Sequence, residues 1–198
     1  MKEVSFDRLA REYFGEVLRP MGFSCAESKF SNFYRQVSND IVHVVMPDLM
    51  RGGTRYEVRV FATSSKIEPQ FVERFPDDIG IPSGTLSYLH PVMGVGPGQK
   101  LFHCKTEEGF IRGFLSEVAP ALSTKALPYL EKISTLESLI PEIRHDFYLG
   151  MAMWHAGDRD PAQVVLRREA ARLAAIPDET GRTTALIKSI QALLNGAE

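Results

Sequence analysis

Glu142-x-x-His145 places a carboxylate and an imidazole on one face of a helix, the spacing that carboxylate-bridged di-iron bundles use. Such a centre needs a second Glu-x-x-His pair and two further carboxylates, and the chain has no second pair. His103-Cys104 sets two ligand types side by side, but neighbours on a strand point to opposite faces and rarely chelate one ion. No metal site and no cofactor are expected. Nucleophiles fare no better. Ser64-Ser-Lys66 and Ser123-Thr-Lys125 lack the Ser-x-x-Lys spacing, and there is no Gly-x-Ser-x-Gly elbow. Gly94-Val-Gly-Pro-Gly-Gln-Lys100 invites comparison with a phosphate loop, which needs glycine directly before the lysine and Ser or Thr after it. Here Gln99 intervenes and Leu101 follows, so the segment reads as a hairpin or lid. No catalytic residue is assigned.

Three binding surfaces can be drawn instead. Arg55, Glu57, Arg59 and Phe61 alternate along one strand, and with Arg35 and His43 they would form a mixed charged and aromatic outer sheet face. Arginine and aromatic side chains are frequent anchors for protein partners, whereas the plain alternative is a solvated sheet face. A second candidate is a pocket under the Pro76–Gly98 loop with His90, Lys100 and His103 as its polar groups, suited to a small ligand or an enzyme. A homodimer built around Trp154 is the third.

The elements that would position these groups follow from periodicity. Phe6 to Arg19 is a helix with Leu9, Tyr13, Phe14, Val17 and Leu18 at helical spacing, Ser5 as N-cap, and Pro20 and Gly22 as its stop. Lys29–Val37 and the β-branched run Ile41–Met46 read as strands, with Pro47 ending the second. Arg55–Ala62 alternates, with Tyr56, Val58, Val60 and Ala62 inward. Thr85–His90 and Lys100–Cys104 could add two short strands. Beyond Thr106 the pattern is helical, with Pro120 and Pro128 expected to break or kink it. Ser134-Thr-Leu-Glu137 has capping-box spacing, and Asp160-Pro161 reads as an N-cap followed by proline at the first helical position. Leu149-Gly150, Ala162 and Leu166 are similar to one partial tetratricopeptide repeat, but a solenoid needs several, so the segment reads as a helical hairpin.

At 198 residues and 44% hydrophobic, the chain can bury a proper core. Its 23 basic and 25 acidic residues nearly cancel, and no third of the chain is one-signed, which counts against nucleic acid and polybasic membrane binding. No apolar run approaches the roughly 18 residues of a membrane span, and the charged start is unlike a secretory leader. Cys25 and Cys104 read as free thiols in a reducing cytoplasm.

Leu18-x-Pro-x-Gly-Phe23, Phe33-Tyr-Arg35 and Ile41–Met46 resemble the bacterial family labelled domain of unknown function 4304, and Ala126–Ile133 is similar to its later helix. The resemblance covers Phe6–Phe61 and, more loosely, Ala126–Leu139. It departs after Met46, where Pro47-Asp48 stands. It implies a small bacterial cytoplasmic protein of no stated reaction, with toxin immunity as one role. The expected fold is α+β: an antiparallel β-meander packed by an N-terminal helix over residues 1–119, followed by an all-helical region over 120–198. The expected function is non-enzymatic binding of a protein partner, without nucleic acid or membrane.

Overall fold

The computed structural model describes residues 5–25, 31–64, 66–67, 101–143, 146–177 and 181–196. Helix α1 (Phe6–Leu18) starts where the amide of Arg8 donates to Ser5 Oγ at 3.4 Å. Its apolar stripe, Phe6, Leu9, Ala10, Phe14 and Leu18, is buried. A 3-10 turn (Arg19–Met21) carries Pro20, and Gly22 takes φ 84°, a left-handed conformation that glycine adopts without strain. This stop aims Phe23 back into the core, where it is buried.

Five strands follow, β1 (Ser24–Cys25), β2 (Phe33–Gln36), β3 (Ile41–Leu49), β4 (Arg55–Ser64) and β5 (Phe102–His103), paired antiparallel in chain order. The meander with its N-terminal helix and C-terminal helices is therefore α+β, as the sequence suggests. Pro47 does not end β3. The amide of Met50 donates to Arg55 O at 2.9 Å, so Met50 and Arg55 form a hydrogen-bonded pair and the pairing alternates from there. Pro47, opposite Val58, falls at a non-hydrogen-bonded position, and its bare nitrogen faces the side on which β2 pairing has stopped at Val45. Proline is tolerated at such an edge.

Tyr56, Val58, Val60 and Ala62 line the inner face and are buried. Helix α1 packs there through rings: Phe14 lies 6.2 Å from Phe33 and 6.4 Å from Tyr56, and Phe6 lies 5.3 Å from Tyr56. From Glu107 to Leu130 the chain is one helical path: α2 (Glu107–Gly113), a π-helical stretch (Phe114–Val118), α3 (Ala119–Ala121), a second π-helical stretch (Leu122–Ala126) and α4 (Leu127–Leu130). The expected breaks at Pro120 and Pro128 do not occur. Each proline removes one amide, and the helix widens just before it: Ala119 N–H reaches Phe114 O and Leu127 N–H reaches Leu122 O. Ser123 and Thr124 hydroxyls donate to the carbonyls of Ala119 and Pro120.

The remaining helices are α5 (Leu136–Leu139), α6 (Asp146–Ala156), α7 (Arg159–Ala174) and α8 (Arg182–Asn195). The capping box lies one residue later than the spacing suggests, between Thr135 and Ser138, because the serine hydroxyl reaches back to the Thr135 amide. Helix α7 begins at Arg159, ahead of Asp160, with Asp158 at the N-cap after the left-handed Gly157 (φ 100°). Helix α5 packs on β4 and α6, α6 on α7, and α7 on α8. One continuous buried cluster runs through sheet and helices.

Candidate functional site

The register separates the residues of the expected sheet face. Arg35 pairs with His43, and His43 pairs with Ala62, so both belong to the inner face and not with Arg55–Phe61. There they form a latch. Arg35 donates to Met21 O at 2.9 Å and to Glu131 Oε1 at 2.6 Å, and its guanidinium lies 4.8 Å over the Phe23 ring. His43 Nε2 meets Ile133 O at 2.6 Å, and a carbonyl only accepts, so Nε2 carries the proton. Nδ1 then accepts from Arg35 at 3.1 Å. His43 is buried at 1% exposure, and burial first, with Arg35 adding, holds its pKa below the ordinary 6.5. The unfolded state therefore binds a proton that the folded state refuses. Stability is full above about pH 6.5 and declines as pH falls toward the folded pKa. Urea unfolding at about pH 7 and about pH 5 should show that decline, with a shallower pH dependence in His43→Asn. An unchanged dependence would place His43 outside the linkage.

The other face is not solvated either. Phe61 is fully buried opposite Val44, and Glu57 is 2% exposed, so the expected outward exposure of this set is corrected. Alternation marks which residues share a face, not whether that face is wet. Arg59 bridges Glu57 and, at 2.9 Å, Asp48. Only Arg55 of the outward set is exposed, opposite the exposed His103 on β5. The register thus brings His103 beside Arg55. His90, Lys100, the Pro76–Gly98 loop and His145 lie outside the described residues. No cluster of three metal-ligating side chains occurs among the described residues. The Cys104 thiol, buried, is pushed up to about 11, and burial also raises that of Cys25.

Two concavities stand out among the described residues. The first is an apolar groove of about 590 Å3 lined by Val17, Met21, Ser123, Leu127, Pro128 and Glu131. Helix α1 supplies Val17, and the turn made by Pro20 and Gly22 presents Met21, which is 42% exposed. The second π-helical stretch and α4 supply the opposite wall, and π-helical turns occur often at functional sites. Glu131, paired with Arg35 at 2.6 Å, completes the lining. The second is a polar cleft of about 380 Å3 where the β2–β3 turn, the chain after β4, the start of α5 and the end of α6 meet. Spacing did not bring these groups together, because they converge from segments far apart in sequence. Met21 carried a signal, an apolar residue inside a Pro-x-Gly turn.

These features define an α+β protein with an apolar groove between α1 and α4 and a polar cleft where its sheet meets its later helices. Comparison with family models, curated proteins and solved structures finds no match. No helix among the described residues is long and apolar enough to cross a membrane.

Proposed function

We propose that the protein is a non-enzymatic binding module that holds an apolar anchor segment of a partner protein in the groove between α1 and α4. The observation that carries this reading is the groove itself: its walls are Val17, Met21, Leu127 and Pro128, and an exposed methionine stands at its lip. Unbranched, polarizable methionine adapts to varied apolar partners. The one charged residue in the described lining of the groove, Glu131, is already paired with Arg35 at 2.6 Å, leaving apolar contact as the main source of affinity. A groove of this volume accommodates the side chains of a short peptide segment. The resemblance to domain of unknown function 4304 is in keeping with such a role in bacteria, an immunity-type partner being one form of it.

The test is selection of a randomised peptide library on the purified protein, followed by methyl shift mapping. Selected peptides should shift Val17, Met21 and Leu127, and Met21→Glu should weaken them at least about tenfold with no loss of thermal stability. Peptides that bind Met21→Glu unchanged would remove the groove from consideration.

A further inference from the structure

The latch on the inner face reaches the apolar groove at two points. Arg35 Nη2 carries two hydrogens, one donated to Glu131 Oε1 at 2.6 Å and one to His43 Nδ1 at 3.1 Å. Its Nη1 donates to Met21 O at 2.9 Å, and its stem runs past Gly22 in the same turn, where a Cβ would lie 3.4 Å from Arg35 Cδ. Met21 and Glu131 both line the groove, one from the turn that ends α1 and the other from the C-cap of α4. One guanidinium therefore ties the two walls to each other, with the buried His43 at its back. Arg35 Nε is buried without a partner, so the hydrogen bonds of this tie all run through the two Nη atoms.

Only one state of the His43 ring fits this arrangement. Nε2 donates to Ile133 O, and Nδ1 accepts from Arg35. A proton on Nδ1 turns that acceptor into a donor and sets an imidazolium against a guanidinium. The charged groups facing His43 among the described residues are Arg35 from β2 and Glu131 from α4, while β4 presents Ala62 opposite it. Burial and Arg35 resist the proton; the Ile133 carbonyl and Glu131 favour it. The guanidinium is planar and rigid, so driving Nη2 off His43 also swings Nη1 away from Met21 O. We propose that His43 is a proton-operated switch of the groove: with a neutral ring Arg35 holds the Met21 lip against the α4 wall, and with a charged ring it lets the lip go and the partner segment is released. The release rests on the groove being the partner's seat, as proposed above, whereas the motion of the lip belongs to the free protein.

NMR spectra of the free protein, taken from about pH 7.5 to about pH 4.5, should show the Met21 methyl titrating with the midpoint of the His43 ring, while the Val164 methyls, exposed on α7, stay still. His43→Asn offers Arg35 an acceptor that gains no proton, and its Met21 methyl should show no step at that midpoint. Arg35→Gln should abolish the Met21 step while His43 goes on titrating. Peptides selected on the groove should bind at least about fivefold more weakly below the midpoint than above it, and by reciprocity their binding should lower the His43 pKa. A Met21 methyl that ignores the His43 midpoint, or keeps its step in His43→Asn or Arg35→Gln, would overturn the switch, as would equal affinity of groove-bound peptides on both sides of the midpoint. If Met21 follows His43 but the selected peptides bind elsewhere, the groove loses its proposed role and the switch of its lip stands.

Discussion

Phe14→Ala should remove about 3–5 kcal/mol of folding stability, the largest loss expected from a single side chain here. Phe14 is fully buried, and its ring lies 4.9 Å from Phe114, 6.2 Å from Phe33 and 6.4 Å from Tyr56. It joins α1, the first π-helical stretch and strands β2 and β4. Alanine is the best helix former, so the helix itself loses nothing and the whole cost is lost packing plus the cavity left behind. For a chain of this size the midpoint temperature should fall by roughly 6–20 °C, with an unchanged urea slope. Phe14→Leu, which keeps more of the volume, should lose distinctly less. Because α1 also carries Val17 into the apolar groove, peptide binding should weaken with Phe14→Ala even below the unfolding temperature. A loss under about 1 kcal/mol would mean that the ring does not organise this core.

Gly150 governs the other half of the molecule. A Cβ built there would sit 2.6 Å from both Cγ and Cδ2 of Leu166 and 3.4 Å from Val165 Cγ1. Leu166 is fully buried, so it has little room to yield. Gly150→Val should therefore cost about 1–3 kcal/mol through overpacking of the α6–α7 seam. Gly150→Ala tests the cause. In the native background the clash should outweigh the helix-propensity gain of about 1 kcal/mol, and the variant should be less stable. In a Leu166→Ala background the clash is gone, and the same change should become stabilising. A sign that stays the same in both backgrounds would assign the effect to the backbone. Glycine on one helix facing leucine on the next is what lets these helices approach closely, and the positions were legible as a hairpin from Leu149-Gly150, Ala162 and Leu166.

Local chemistry was readable along the chain wherever one segment decides its own conformation. Ser5, Pro20 and Gly22 set the limits of α1 through capping, a missing amide and a left-handed turn. The alternation of Tyr56, Val58, Val60 and Ala62 announced the buried face of β4, because side chains on a strand alternate with period two. Where the reading failed, a neighbouring strand or a change of helix type was responsible. Pro47 stays in β3 because β2 pairing ends at Val45 and leaves an edge. Pro120 and Pro128 stay in a helix because the chain widens to five-residue hydrogen bonds before each.

The candidate site lies on the same divide. Residue types and spacing excluded the metal, nucleophile and phosphate-loop signatures that a short segment can carry, and they singled out Arg35, His43, Arg55, Glu57, Arg59 and Phe61. The sequence by itself determined which residues alternate, where α1 stops and that the class is α+β. Tertiary structure alone decided that Arg35 and His43 form a latch on the inner face, that Phe61 and Glu57 are covered, and that Met21 meets Leu127 across a groove. It also decided that Asp40, Lys66, Glu137 and His155 share one cleft. The reason is physical: a cap or a turn is a local energy minimum, whereas register, burial and convergence depend on which distant surface excludes water.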